Sequence, residues 1–329
     1  MIESKLTSSI AMCTYNGAAY LQKQLDSIRN QTRLPDEMVV CDDGSTDQTL
    51  EILEQFAQSV PFSVRVIRNG KNLGCYQNFA HCAEMCVGDL LFLSDQDDIW
   101  HLEKIERFTA VFEQNSDVGL IFSDAELIDE NDRKRNVLLT ESWGIRASSL
   151  EKRVLRDYFD VLKKSTSWPG MAMAVRRELI QGRFILEDQI PHDSFLLYFV
   201  GGFAKEVFLP QPLSNYRVHQ TNVSKPLDKK LFSLKNFVNR EEKRSISEGH
   251  LQTAQSILYV MDQCQSYADC RYSAAMQEAL RQKARHHLMR YRLRTRQISK
   301  WYGIFHEFLN GNYFHYGKGF ISMGADIFS

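Results

Sequence analysis

Residues 90–100 read LLFLSDQDDIW, an apolar run that leads directly into three carboxylates. The run has the length and the unbroken hydrophobicity of a strand that is buried on both faces of a sheet. Asp95, Asp97 and Asp98 follow it, and adjacent negative charges repel one another unless a positive group lies among them. The stretch therefore predicts a central strand whose carboxyl end forms a charged, ligand-binding edge.

Four other apolar runs, rich in branched residues, predict further strands at residues 8–13, 37–41, 63–68 and 118–124. Helical patterns lie between them, and this alternation predicts an α/β fold with a mostly parallel sheet flanked by helices. Ligands of such sheets bind beyond the carboxyl ends of the strands. The polar loops TYNG, DDGSTD, NGKNLG and DQDD each follow a predicted strand, so we expect the site at this edge.

The pattern becomes almost purely helical from about residue 230. We place a domain boundary near residue 228, which gives an α/β domain at 1–228 and a helical, basic extension at 229–329. Residues 281–300 contain eight Lys and Arg and no acid, interleaved with apolar side chains. Two interpretations stay open for this region: association with an anionic membrane surface, or packing against protein, including an oligomer contact.

Overall charge argues against nucleic acid as a partner, because the whole chain carries a formal net charge of −1. Residues 1–140 hold 12 Lys and Arg against 23 Asp and Glu, whereas the remainder holds 28 against 18. The seven cysteines are odd in number and mostly lie inside apolar or helical patterns, which indicates reduced thiols and a cytoplasmic location. We expect neither a membrane span nor a secretory signal, since no apolar stretch is long enough.

A divalent cation is the simplest counter-charge for the acids at residues 95–98. Carboxylates suit Mg²⁺ or Mn²⁺, and Mg²⁺ usually combines one or two of them with phosphate oxygens of a ligand. The chain contains no GxGxxG and no GxxxxGK[ST] motif, so a diphosphate must be held through the metal. Two alternatives stay open: a solvated turn that caps the next helix, and the nucleophile motif of haloacid-dehalogenase-like phosphatases, which the stretch matches only in part.

The loop at residues 42–49, DDGSTDQT, places two acids before a glycine. Capping of the following helix accounts for Ser45 and Asp47, but it does not account for Asp42 and Asp43. A carboxylate here can accept a hydrogen bond from an N–H group of a nucleobase such as uracil. The loop therefore indicates a nucleotide site.

Taken together, these motifs resemble the family-2 glycosyltransferases of the GT-A fold, and among them the bacterial rhamnosyltransferase-like members. Seven motifs carry the resemblance: TYNG (14–17), DDGSTDQT (42–49), NLG (72–74), SDQDD (94–98), WPGMAM (168–173), PHDSFL (191–196) and YRVHQTNVS (216–224). Each motif is weak alone, but the spaced set is specific and covers roughly residues 6–226.

The resemblance implies a nucleotide-diphosphate sugar as the donor, with UDP or dTDP as its nucleotide. It implies that six residues contact the base, the ribose or the first phosphate, or lie close to them: Thr14, Tyr15, Asn16, Asp43, Asn72 and Asp95. It also implies that Gly170 lies in the loop that closes over donor and acceptor.

Metal and base follow from the same resemblance. Asp97 and His219 would hold Mg²⁺ or Mn²⁺ at the diphosphate, and Asp193 would act as the general base that takes the proton of the acceptor hydroxyl. One base without a covalent intermediate implies direct displacement with inversion. Two simpler explanations stay open: Asp193 only caps the helix that follows it, and His219 is a loop histidine without a ligand.

Asp98, Trp100 and Trp168 are candidates for the acceptor side, and packing in the core is the alternative for both Trp rings. The implied function is transfer from dTDP-rhamnose or a UDP-hexose to a saccharide or lipid-linked saccharide in surface polysaccharide assembly. We expect the protein in the cytoplasm, with peripheral attachment to the inner membrane surface as one option. Two other classes stay open: a metal-dependent phosphatase or nucleotidyltransferase, and a non-catalytic saccharide-binding or scaffolding subunit.

Overall fold

The computed structural model of the chain describes residues 5–142, 168–187, 190–219, 240–295 and 300–315, together with residues 323 and 326. These residues group into two compact units. The sheet unit comprises the described residues up to 142 with residues 168–187 and 204–219, and the helical unit comprises residues 190–203 and the described residues from 240 onwards.

Nine strands and eleven helices lie in the described part of the chain. The strands are β1 Ser8–Thr14, β2 Glu37–Asp42, β3 Ser63–Arg68, β4 Leu90–Ser94, β5 Ile99–Trp100, β6 Val118–Ile128, β7 Lys134–Leu138, β8 Met173–Arg176 and β9 Lys205–Arg217. The helices are α1 Ala18–Arg29, α2 Thr49–Ala57, α3 Cys75–Met85, α4 Lys104–Gln114, α5 Leu139–Ser142, α6 Arg177–Ile180, α7 His192–Val200, α8 Arg240–Gln265, α9 Ala274–Arg294, α10 Lys300–Leu309 and α11 Asn312–His315. The predicted α/β fold is confirmed, and the five predicted strands appear as β1, β2, β3, β4 and β6.

All nine strands form one sheet in the order β3-β2-β1-β4-β8-β6-β9-β5, and β7 pairs with β6. The first four are mutually parallel, whereas β8 runs antiparallel to both β4 and β6. β6 and β9 also pair in parallel, so six of the nine strands, β1, β2, β3, β4, β6 and β9, run in the same direction, and the prediction of a mostly parallel sheet is confirmed. β7 runs antiparallel to β6, because a short turn rather than a crossover helix joins these two strands.

The parallel half owes its apolar runs to its position in the core. Every residue of β1 and β4 is buried, and Ile10 and Phe92 share one hydrophobic cluster with Leu25 of α1 and Phe108 of α4. At the edge of the sheet, β3 alternates between more and less exposed side chains. A buried pair of central strands thus presents the loops after Thr14 and Ser94 side by side.

In the helical unit, α8 packs against both α9 and α7. Ser273 caps α9, because its hydroxyl oxygen accepts a hydrogen bond from the main-chain N–H of Met276. Eight of the nine residues of α7 are buried, which explains why residues 190–203 group with the C-terminal helices although the predicted boundary lay at residue 228. None of the described helices combines the length and the apolar content that crossing a membrane requires.

Candidate functional site

The carboxyl ends of β1, β2 and β4 lie next to one another, so the loops that follow them share one edge. Thr14 pairs with Asp42, and Met12 pairs with Ser94. The Thr14 hydroxyl donates to Asp42 Oδ2 across 2.9 Å, which ties the first two loops together at their base.

Tyr15 and Asn16 form the first loop. Gln96 holds it from the third loop, since its side-chain oxygen accepts from the Tyr15 N–H (2.9 Å) and its amide donates to the Tyr15 carbonyl (3.1 Å). Asn16 has a positive φ of 48°, and its side-chain oxygen accepts from the Thr46 N–H (2.9 Å). The Tyr15 side chain is 52% exposed, so a well-fixed main chain presents an aromatic ring at the edge.

The two acids of the second loop build loops rather than facing solvent. Asp42 accepts from the N–H groups of Gly44 (3.1 Å) and Ser45 (2.8 Å) and so closes its own turn. Asp43 reaches the β3–α3 loop, where its carboxylate accepts from the N–H groups of Leu73 (2.7 Å) and Gly74 (2.8 Å).

Asn72 and Asn69 extend this connection. The Asn72 amide donates to the Asp43 carbonyl (3.0 Å), and the Asn69 amide donates to Asp43 Oδ1 (2.8 Å). A carboxylate has about four acceptor positions, and three described donors reach that of Asp43. The structure therefore brings Asn72 and Asp43 together.

Asp97 and His219, which are 122 residues apart in sequence, meet at the end of the third loop. Asp97 Oδ2 lies 2.7 Å from His219 Nε2, and both side chains are largely buried. The ring of Tyr20, on α1, stacks on the His219 ring with centroids 5.0 Å apart and an interplanar angle of 29°.

Asp98 points into the protein instead. It is buried, and its Oδ1 accepts from the main-chain N–H of Arg217 (2.9 Å), while its Oδ2 has no partner among the described residues. Burial, reinforced by the nearby charges of Asp97 and then Asp95, raises the pKa of Asp98 well above its ordinary value. The position is internal, which gives the proposed acceptor-side role of Asp98 no support.

The implied metal can be tested against this donor set. One carboxylate and one imidazole with polar atoms 2.7 Å apart fit a cation that takes its remaining ligands from diphosphate oxygens and water. Within the described ranges, no three His, Cys, Asp or Glu side chains converge into a complete protein cage. Asp97 and His219 therefore suit a cation shared with a phosphate ligand rather than a closed structural site.

Both Trp rings pack in the core of the sheet unit. Trp168 is fully buried against Phe122 and Phe208, and its indole N–H donates to the Ser123 carbonyl (2.8 Å). Trp100 is 2% exposed. Both Trp100 and Trp168 therefore match the alternative of packing in the core rather than the acceptor-side role.

Lys104 is a buried cation beneath the loop that contains Gly170. Its ammonium group donates to the Met171 carbonyl and to the Ser214 hydroxyl (2.9 Å), and it lies 4.0 Å from the centre of the Trp100 ring. Burial lowers the pKa of Lys104 well below its ordinary value, although the charges of nearby aspartates oppose this shift. Gly170 itself begins a buried 3₁₀ turn, Gly170–Ala172, that this contact fixes.

Asp193 belongs to the helical unit. It is the second residue of α7, half-buried, and its Oδ1 accepts from the Ser194 N–H (2.6 Å). The proposal that Asp193 is the N-cap is wrong, because Pro191 holds that position. Within the first turn its negative charge is still favoured by the helix dipole.

Part of the basic segment is internal to the helical unit. Arg290 donates to both carboxylate oxygens of Asp326 (2.8 and 3.0 Å), and Arg294 donates to one of them (3.1 Å). Burial lowers the pKa of Lys283 to about 7. These three cations pack against protein, whereas Arg285 and Arg292 of the same helix are exposed. Residues 296–299 lie outside the described residues.

Sequence reasoning missed the residues that hold the site together. Gly17 and Arg217 stand inside quoted motifs, so a signal existed, but nothing in the pattern gave their contacts. Tyr20 and Lys104 lie on helices, where their periodicity indicated only ordinary packing. Gln96 also stands inside a quoted motif, SDQDD, and in the structure its side chain fixes the Tyr15 main chain.

The family model for glycosyl transferase family 2 matches residues 9–180. An uncharacterised glycosyltransferase of a Nostoc species is 28% identical over 221 residues, covering 65% of this chain and 65% of its own. The dTDP-rhamnosyl transferase RfbG of Shigella flexneri is 28% identical over 224 residues, covering 64% of this chain and 72% of its own. The match thus spans slightly less than two thirds of the Nostoc relative.

Two solved structures share the fold at low sequence identity. TarS of S. aureus in complex with UDP has a TM-score of 0.52 at 15% identity and covers 87% of this chain and 81% of its own. The mannosyltransferase PcManGT of Pyrobaculum calidifontis, in complex with GDP-Man and Mn²⁺, has a TM-score of 0.57 at 15% identity, covering 87% and 71%. At this identity the likeness concerns the fold alone.

Proposed function

The chain belongs to glycosyl transferase family 2, and from this we propose that it transfers a sugar from a nucleoside-diphosphate donor to a saccharide or lipid-linked saccharide acceptor, with inversion and with a divalent cation. The observation that carries the proposal is the contact between Asp97 and His219, 2.7 Å apart, beside the Tyr15 loop. Two side chains that can ligate a metal thus lie beside the loops that family members use to bind the nucleotide.

The nucleotide is held by the first two loops and the β3–α3 loop. Asp43 has three described donors on its carboxylate, which leaves one acceptor position for an N–H group of the base. Tyr15 offers an exposed ring, and its main chain is already fixed by Gln96. Because these loops are hydrogen-bonded before ligand arrives, little ordering entropy remains to oppose binding.

Asp97 and His219 would hold Mg²⁺ or Mn²⁺, which when bound supplies Lewis-acid stabilisation of the departing diphosphate, worth several kcal/mol. The chain's own contribution is to hold the Asp97 carboxylate and the His219 imidazole next to each other. Their present contact, 2.7 Å between Oδ2 and Nε2, keeps both donor atoms turned towards each other.

Asp193 is proposed as the general base. Its carboxylate accepts the proton of the acceptor hydroxyl as that oxygen attacks the anomeric carbon, and a well-placed base contributes about 10²–10⁴-fold. A single displacement on the face opposite the diphosphate inverts the configuration.

We propose dTDP-rhamnose or a UDP-hexose as the donor and surface polysaccharide assembly as the setting. The Shigella relative, a dTDP-rhamnosyl transferase, supports the first donor. The structural neighbour that binds UDP supports the second. The alternatives that the sequence left open, hydrolysis of a phosphate ester or nucleotidyl transfer, release different products.

The test is product analysis with a panel of nucleotide sugars, in Mg²⁺ or Mn²⁺ and with chelator. The proposal expects slow release of nucleoside diphosphate that the chelator abolishes. Release of inorganic phosphate or pyrophosphate would instead favour a phosphatase or nucleotidyltransferase, and no turnover with any donor would favour a scaffolding role.

Asp193→Asn sharpens this test. Turnover should fall by about 10²–10⁴-fold, while binding of the donor stays close to wild type. Asp262→Asn is the matched control, because it makes the same chemical change at an exposed aspartate of the same unit. Equal activity of the two variants would remove Asp193 from the mechanism.

A cytoplasmic location, with attachment to the membrane surface, completes the proposal. All seven cysteines are free thiols, which suits a reducing compartment. In the helical unit Arg285 is exposed, and α10 exposes Phe305, Phe308 and Leu309. Flotation with anionic and with neutral vesicles tests this attachment, which predicts binding to the anionic vesicles only.

A further inference from the structure

Arg217 lies at the end of β9, two residues before His219, and its side chain is fully buried. Its Nε donates to the main-chain carbonyl of Asp97 (2.6 Å), and its own N–H donates to the Asp98 carboxylate (2.9 Å). One residue thus fixes the main chain of Asp97 and the side chain of Asp98.

The same guanidinium group also reaches His219 indirectly. Its central carbon lies 4.7 Å from the centre of the Tyr20 ring, and the same ring stacks on the His219 imidazole, with ring centroids 5.0 Å apart. Arg217 therefore contacts the main chain of Asp97 directly, and it contacts the Tyr20 ring on which His219 stacks.

An outer anchor keeps the guanidinium in place. Its Nη1 donates to the Asp129 carbonyl (3.1 Å) and to Asp132 Oδ1 (2.5 Å). Asp132 also pairs with Lys23, which lies three residues after Tyr20 on α1 and therefore on the same side of that helix. The anchor consequently joins α1, the β6–β7 turn and the end of β9.

We propose that Arg217 is the positioning residue of the Asp97–His219 pair and sets how tightly this pair binds a divalent cation. The inference rests on the proposed function. Its physical basis is that a planar, multidentate guanidinium satisfies acceptors in several directions at once, whereas a lysine ammonium provides neither the fork nor the flat face against Tyr20. Residues that orient metal ligands typically change metal affinity by about 10–100-fold when they are replaced.

The experiment measures Mn²⁺ binding to the full chain by electron paramagnetic resonance of the free ion, alone and with UDP or dTDP. Arg217→Lys is expected to weaken Mn²⁺ binding by about 10–100-fold. In activity assays the Mn²⁺ concentration for half-maximal rate should rise by a similar factor, while the rate at saturating Mn²⁺ changes less.

Arg176→Lys is the matched control. The Nε of Arg176 also donates to a main-chain carbonyl, that of Val118 (2.8 Å), and its guanidinium lies 5.3 Å from the Phe112 ring. Arg176 pairs with Leu90, at the opposite end of β4 from the site. Both variants should lose folding stability, but only Arg217→Lys should lose Mn²⁺ affinity.

Unchanged Mn²⁺ affinity in folded Arg217→Lys, or an equal loss in Arg176→Lys, would overturn the inference while leaving the proposed function intact. Wild-type protein that binds no Mn²⁺ with either nucleotide would refute the proposed metal dependence, and this inference with it. If Arg217→Lys does not fold, Asp132→Asn is measured in its place. The Asp132 side chain is 32% exposed, and this substitution weakens only the outer anchor of the guanidinium group. A folded Asp132→Asn with wild-type Mn²⁺ affinity would then count as the overturning result.

Discussion

Gly17→Ala tests what fixes the Tyr15 loop, which we propose to bind the nucleotide. Gly17 has an ordinary φ of −98°, so alanine fits the backbone there. An added Cβ would lie 2.1 Å from Gln96 Oε1 and 2.5 Å from the amide carbon of that side chain. Since real contacts of this kind are far longer, the Gln96 side chain has to move away.

The cost follows from what Gln96 does. Moving it breaks two hydrogen bonds with the Tyr15 main chain, of 2.9 and 3.1 Å. At about 0.5–1.5 kcal/mol each, and in a partly exposed place, we expect Gly17→Ala to lower the free energy of unfolding by about 1–2 kcal/mol. Binding of UDP or dTDP should weaken in parallel, because the freed main chain of Tyr15 must be ordered again.

A double-mutant cycle isolates the effect. Gly17→Ala, Gln96→Ala and the double variant are compared by urea unfolding and by calorimetric titration with nucleotide. Once Gln96 is truncated, Gly17→Ala has nothing to displace, so the coupling energy should equal most of the single-mutant cost. Gly249→Ala, on α8 of the helical unit, is the control for nucleotide binding, since open space surrounds its added Cβ.

Additivity would refute this reasoning. If Gly17→Ala costs the same in both backgrounds, within the 0.3–0.5 kcal/mol or so expected of independent sites, then the glycine is not needed to make room for Gln96. A loss of nucleotide affinity in Gly249→Ala as large as that in Gly17→Ala would have the same consequence.

Three further predictions concern buried groups. Burial lowers the pKa of His192 from 6.5 to about 3. As pH falls, the unfolded chain therefore protonates His192 before the folded chain does, and stability is lost between pH 6.5 and 3. The loss at pH 5 is about 2 kcal/mol, and His192→Gln should remove it in urea unfolding at pH 7 and 5. Lys104→Met leaves the buried Met171 carbonyl without its donor and should cost about 1–3 kcal/mol; an unchanged urea midpoint would contradict this. Trp168→Phe should lower the free energy of unfolding without changing the KM for acceptor. A raised KM at unchanged stability would instead support the acceptor-side role of Trp168.

Strands were predictable from sequence where burial was complete. β1 and β4 lie in the middle of the sheet, and their apolar runs are continuous because every residue is covered. β9 gave no such signal, since it contains Pro210 and Pro212, which cannot donate to a sheet ladder. The pairing of β6 with β9 does shift register at Pro212, so the sequence irregularity reflects a real irregularity in the strand.

For the site, the sequence provided the residue types but not the contacts among them. Asp97 and His219 were identified through the family resemblance, because a sequence separation of 122 residues leaves no spacing rule. Whether a tryptophan faces solvent depends on tertiary packing, and for this reason the alternatives for Trp100 and Trp168 stayed open. The Arg217–Tyr20 contact also depends on packing between an early helix and a late strand.

The number of acids at the sheet edge overstates the negative charge that meets a ligand. Asp42 is used by its own turn and Asp43 mainly by the neighbouring loop, so hydrogen bonds already disperse both charges. Burial shifts Asp98 towards its neutral form, which carries no charge to repel a neighbour. Asp97 is different, because its carboxylate faces an imidazole rather than main-chain donors. Burial and hydrogen bonding, rather than the count of carboxylates in SDQDD, therefore decide which acid remains available for a cation.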